Sequence, residues 1–194
     1  MWKKILLVIG VVLAGLLLFA STRPDTYHVD RRIEIAAPAE VIFAQLQDFK
    51  AWPAWSPWEQ RDPLMKKTFA GPPSGVGSSY SWQGNDEVGK GKMTIEHSEP
   101  PHHIRYRLEF IEPFAAVANT GFALAPQAQS GPGGAGDRPP PRTTVTWGMD
   151  GTNDFVGKLF GLFMNMDKMI GGDFEKGLAA LKAVSEAKVG KSPG

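Results

Sequence analysis

A chain of 194 residues is long enough for one domain with a sizeable core, and 42% apolar with 21% charged residues is ordinary for a globular protein. A net charge of +1, with Lys and Arg scattered, excludes the concentrated positive field that nucleic-acid binders use. The absence of cysteine excludes disulfides, thiol catalysis and Cys-based metal sites.

Lys3 and Lys4 precede an uncharged apolar run, Ile5 to Ala20. With its flanks the run reaches the roughly 20 residues that a spanning helix needs. It exceeds the apolar core of about 7–15 residues found in cleaved signal peptides, and cleavage after Ala20 would set bulky Leu18 where a small residue is wanted. The expectation is an uncleaved single-pass anchor over residues 1–22, with a secreted chain after signal-peptide cleavage as the alternative. Lys3 and Lys4 favour a cytoplasmic N-terminus and place the remaining domain on the other side. Arg23, Arg31 and Arg32 oppose that orientation.

After a polar link (23–26) the pattern changes to period two. Tyr27, Val29, Ile33 and Ile35 alternate with polar residues, which predicts a half-buried strand. It ends at AAPAE, where Pro38 suits the first turn of a helix and Glu40 suits its positive end. That helix, about 38–47, buries Val41, Ile42, Leu46 and Phe43. Asp48 is placed to cap a short second helix running into WPAWSPWEQRDP, where Trp52, Trp55 and Trp58 stand three residues apart among prolines.

From about 65 to 150 the chain reads as strands separated by turn signals. They are Lys66–Phe69, Ser79–Trp82, Lys92–Glu96, His103–Ile111, Ala116–Leu124 and Thr143–Met149, consecutive and closely connected, as in an antiparallel meander. The exception is the Gly- and Pro-rich stretch 126–142, which predicts a mobile loop between strands that still pair. A helical stripe follows from Asp154 to Ala187, with Leu159, Phe163, Met166, Ile170, Phe174, Leu178 and Leu181 on one face. Gly171-Gly172 interrupts it and marks a bend, a close backbone contact or a division into two segments. Asp150 and Asp154 read as caps. The tail, 189–194, is expected to be disordered.

The stretch IEIAAPAEVIFAQLQDFKAWPAWSPWE and the ending IGGDFEKGLAALKAVSE resemble the START-like, or SRPBCC, superfamily in its polyketide cyclase/dehydrase-like branch. The resemblance covers about residues 27–187. It implies an α+β helix-grip fold: a curved antiparallel β-sheet wrapped around a long C-terminal α-helix, here preceded by one N-terminal transmembrane helix. The superfamily includes lipid carriers, hormone receptors, aromatase/cyclases and Hsp90 activators, so the fold leaves the activity open.

In such a fold, a cavity between sheet and helix would be lined by Trp52, Trp55, Trp58, Tyr80, Trp82, Met93, Ile95, Ile104, Tyr106, Leu108, Phe110, Phe122, Val145, Trp147, Phe163, Met166 and Ile170. Alternatively the same side chains fill the space and plug the core. Alternation puts no carboxylate, histidine or lysine on that face, and phenols are poor bases near neutral pH. The expected partner is therefore a hydrophobic small molecule or lipid held by shape, with membrane contact through residues 5–20, no cofactor, no catalytic residue and no nucleic acid. The competing readings are a cyclase/dehydrase-type enzyme, which needs a bulge to turn His103 or Glu109 inward, and an interaction module of the Hsp90-activator type. His97, His102 and His103 with Glu96 and Glu99 around the EHSEPPHH turn are a weaker candidate for metal. Gly84, Gly89 and Gly91 fit turns and no phosphate motif. Met164, Met166 and Met169 would give an adaptable lining.

Overall fold

The computed structural model describes residues 1–128, 141–162 and 165–190. Helix α1, Trp2–Ser21, is 20 residues long. At 1.5 Å per residue that is about 30 Å, the thickness of a bilayer's hydrocarbon layer. Its side chains are exposed apart from Ala20, so length and composition allow a membrane span or a signal sequence.

Strand β1, Thr26–Ile35, leads to α2, Ala39–Leu46, with Pro38 as its N-cap. Asp48 then caps a 3-10 helix, Phe49–Ala54, by accepting a hydrogen bond from the Lys50 amide. Helix α3, Pro57–Arg61, starts on a proline, whose missing N–H has no intrahelical partner to lose there. Six strands follow: β2 Lys66–Ala70, β3 Ser79–Gln83, β4 Lys90–Glu99, β5 His103–Glu112, β6 Ala116–Pro126 and β7 Thr143–Thr152. The sheet order is β1-β7-β6-β5-β4-β3-β2, antiparallel throughout. Most of the Gly/Pro-rich loop (129–140) lies outside the described residues, yet its flanks pair as anticipated, Leu124 opposite Val145.

Helix α4, Phe155–Phe160, and α5, Met166–Val189, complete the chain. Asp154 caps α4 by accepting from the Gly157 amide, and Asn165 caps α5 by accepting from the Lys168 amide. Asp150 is not a cap. It lies in β7 and its carboxylate meets His28 Nδ1 at 2.7 Å. The helical stripe divides between 160 and 166, and α5 runs unbroken through Gly171-Gly172. The reason for Gly171 is close approach: a Cβ there would lie 2.1 Å from Arg31 Nη2. Arg31 lies across α5, with its guanidinium on both carboxylate oxygens of Asp167 and on Glu175. The result is the helix-grip arrangement, with α5 against β1 and the concave face of the sheet, and the 3-10 helix and α3 closing one side.

Candidate functional site

The concave face is built from alternate residues of every strand, and its centre is aromatic. Trp147 of β7 stacks on Phe174 of α5 with centroids 4.2 Å apart and planes within 8°. Trp55 and Trp58 each meet Trp147 edge-on at 5.7 Å. Trp52 packs on Trp55, Phe49 and Tyr106. Phe122 joins Tyr106 to Trp147, and Tyr80, Trp82 and Phe110 extend the network towards β3 and β4. Met93, Ile95, Ile104, Leu108 and Val145 are buried in the same core, and Ile170 packs against it half-buried. Phe163 and the side chain of Met166 lie outside the described residues. Met169 is exposed on α5 and lines nothing, while Met164 is likewise outside the described residues.

Most polar atoms of this face are bonded within the protein. Trp52 Nε1 and the Tyr106 hydroxyl both donate to the Leu46 carbonyl at the end of α2. A helix C-terminus leaves such carbonyls unsatisfied, so two buried donors serve it and hold α2 against the sheet. Trp55 Nε1 donates to the Gln45 carbonyl, Trp82 Nε1 to the Val88 carbonyl and Trp147 Nε1 to Thr120 Oγ1. Burial pushes the Tyr106 phenol well up, and burial with nearby Glu59 does the same for Tyr80. Neither phenol is a base near neutral pH.

Charged groups do reach the concave side, at its two edges, which corrects the expectation that it holds none. Lys67 of β2 stands opposite Trp82 and pairs with Glu59 of α3, whose side chain is 8% exposed. Arg31 enters from β1. The weak apolar pattern of β2 gave no face assignment for Lys67, and Glu59 arrives from a separate helix, so only tertiary contact joins them. Phe49 was also missed as a member of the aromatic cluster. Its place directly after the Asp48 cap was the available signal. His103 remains exposed on the outer face, and Glu109 is on that face too. The sheet does carry a bulge, between Ile95 and His97 in β4, and it acts outward. It sets His97 opposite Arg105, on the outer face, where strict alternation from Met93 and Ile95 would turn it in.

That outer face holds a trough of about 440 Å³. Its floor is the cross-strand pair Gly148 and Gly121, continued by Asp30 on one side and by Arg105 and His97 on the other. His97 pairs with Glu99 at 3.0 Å. Among the described residues no group of three or more His, Asp or Glu side chains is arranged to hold a metal ion. A second groove, about 470 Å³, lies between the start of β1 and α4. Tyr27 and Leu162 form its apolar side, and Arg23, Asn153, Lys158 and Asn165 its polar side. The Tyr27 hydroxyl reaches Met149 Sδ at 3.8 Å, so this groove abuts the buried face. A third, about 230 Å³, separates α3 from α5 beside the Arg61–Asp173 ion pair.

Comparison with known proteins agrees with this architecture. A family described as polyketide cyclase/dehydrase and lipid transport matches residues 26–186. No curated protein sequence matches the chain. Among solved structures, protein CV1439 of Chromobacterium violaceum superposes with a TM-score of 0.54 at 16% identity, covering 84% of this chain and 99% of the other. Protein MLL2253 of Mesorhizobium loti gives 0.52 at 17%, covering 81% and 96%. The di-domain ARO/CYC BexL of the BE-7585A pathway gives 0.53 at 14%, covering 87% of this chain and 53% of its own. At these identities the likeness is one of fold.

Proposed function

The chain belongs to the polyketide cyclase/dehydrase and lipid-transport family, and from that premise we propose that it is a membrane-tethered domain holding a hydrophobic small molecule or lipid between its sheet and α5. The observation that carries this reading is the concave face itself: apolar between its two charged edges, with the indole N–H groups of Trp52, Trp55, Trp82 and Trp147 already donating within the protein. An occupant of such a surface is selected by shape and apolar area, and gains few directed hydrogen bonds. The rings meet one another at van der Waals distance, so binding requires them to part. The groove beside α4 supports a way in, since it joins Tyr27 and Leu162 to polar groups that suit a headgroup. Helix α1 would hold the domain at the bilayer that supplies the ligand, with its N-terminus in the cytoplasm and the domain outside.

Native mass spectrometry of the full chain, released from mild detergent and compared with a denatured sample, tests both halves of the proposal. The expected result is extra mass that is lost on denaturation and extracts into organic solvent, on a polypeptide that retains residues 1–22. A bare polypeptide mass under every gentle release condition would count against ligand binding. A polypeptide lacking the first 20 or so residues would replace tethering with secretion.

A further inference from the structure

Strand register fixes what lies beside the point where α1 joins the domain. Tyr27, Gly151 and Ala118 are level across β1, β7 and β6. Thr26, the first residue of β1, is therefore level with Val117. Strands β1 and β6 both run away from this end, so the turn before β6 projects in the direction from which the chain arrives. Phe114, three residues before Val117, reaches up to about 10 Å past that level, and two strand spacings put β6 about 10 Å to the side of β1.

The link from Ser21 to Thr26 is short: five peptide steps span at most about 18 Å. It is also fastened, because the Asn153 amide donates to the Asp25 carbonyl at 2.7 Å and Lys158 pairs with the Asp25 carboxylate. With Asp25 held to the domain and α1 touching α4, α1 leaves close to Thr26, and a surface there is within reach of the β5–β6 turn. That turn is apolar where soluble hairpin tips are polar: Ile111 is 49% exposed, Phe114 69% and Val117 43%. Phe155, at the start of α4, adds a fourth exposed apolar side chain at the same end.

We propose that the β5–β6 turn is a second membrane contact, in which Phe114, backed by Ile111 and Val117, enters the interfacial layer of the bilayer that holds α1. The inference rests on α1 being a membrane anchor. Charges near the turn are of both signs, with Glu112 paired with Lys90 and Lys158 with Asp25, so apolar insertion drives the contact. Two contacts at one end of the sheet fix the tilt of the domain on the bilayer.

The chain has no cysteine, so single substitutions give unique labelling sites. The full chain would carry an environment-sensitive fluorophore at Ala115→Cys, Leu13→Cys or Val76→Cys, the last in the loop at the opposite end of the sheet. Each is placed in phosphatidylcholine vesicles containing spin-labelled lipid, labelled near the headgroup end of the acyl chain for Ala115 and Val76 and near its methyl end for Leu13, which lies mid-helix. Both the Leu13 and Ala115 sites should be quenched, Ala115 about threefold more than Val76, as for a group within about 5–10 Å of the headgroup boundary. Phe114→Ser in the Ala115→Cys background should return quenching to the Val76 level. Quenching at Leu13 with Ala115 no different from Val76 would overturn the second contact and leave the anchor standing. An unquenched Leu13 would overturn both. A signal at Ala115 that appears only with added phosphatidylglycerol would overturn apolar insertion as its cause.

Discussion

Trp147 shows how single residues set this molecule's character. Its ring touches Trp55, Trp58, Phe122 and Phe174, it is 2% exposed, and its N–H is bonded to Thr120. Four neighbours from three separate elements and the adjacent strand use one side chain as their common surface. Truncation leaves a cavity that those neighbours, themselves locked in contact, fill only in part. Trp147→Ala should therefore lower unfolding free energy by about 3–5 kcal/mol, read from denaturant midpoints at constant m-value. Trp58→Ala should cost less, because Trp58 is only half-buried. Equal costs would show that the Trp147 environment collapses after truncation. Alternation in TTVTWGMD places Trp147 with Val145 and Met149 on the buried face from sequence alone, whereas its stacking on Phe174 depends on where α5 lies.

At the scale of the element, α5 is informative because it holds three glycines, at 171, 172 and 177, and is still continuous. Each glycine in a helix interior costs about 1 kcal/mol relative to alanine, and two of the three have a packing reason, while Gly172 faces open space. For Gly171 the reason is Arg31 lying across it. For Gly177 it is the Trp147 ring, which a Cβ would meet at 2.7 Å, with Pro57 at 3.1 Å. Arg31 has an exposed route by which to move, while Trp147 has none. Gly177→Ala should therefore lose about 1–3 kcal/mol to overpacking against about 1 kcal/mol of helix propensity gained, a net loss of up to about 2 kcal/mol. Gly171→Ala should come out near neutral, since it trades propensity for surface ion pairs worth about 0–1 kcal/mol each. Thermal or chemical denaturation of the two variants side by side checks the contrast. A stabilised Gly177→Ala would show that the sheet and α5 are more loosely packed than the ring contacts imply.

For the whole molecule, the decisive pairing is β1 with β7, which brings residues 26–35 against 143–152 and α5 over both. Charged contacts along this seam give the fold a pH dependence. The hydrogen bond to Asp150 raises the His28 pKa above its ordinary 6.5. Protonated His28 thus stabilises the folded state fully below pH 6.5, and the contribution is lost as pH rises through the raised folded value. Asp167 is lowered by Arg31, Glu186 by the Ala36 amide and Glu34 by Arg142. Those contributions are present above the ordinary carboxylate range and are lost as pH falls through the lowered values. The melting temperature should accordingly peak between the carboxylate range and about pH 6.5. His28→Gln should flatten the fall above the peak, and Asp167→Asn the fall below it. A His28→Gln profile that keeps its upper slope would assign that slope to another group.

Much of this was legible in the chain alone. The apolar run of α1, the period-two strands, the Asp48 and Asp154 caps and the Ala-Pro helix start are local signals, because they depend on residues within a few positions of one another. The helix-grip class followed from their order. What only the tertiary structure decided is which distant groups meet. Glu59 joins Lys67 beside Trp82, the β4 bulge turns His97 outward, Asp150 serves His28 instead of a helix end, and Gly171 makes room for Arg31. None of these has a signature in sequence, because each partner sits on an element whose position is set by the packing of the rest. The same is true of the β5–β6 turn: its apolar residues were visible in the sequence, but register alone placed them at the end where α1 joins the domain.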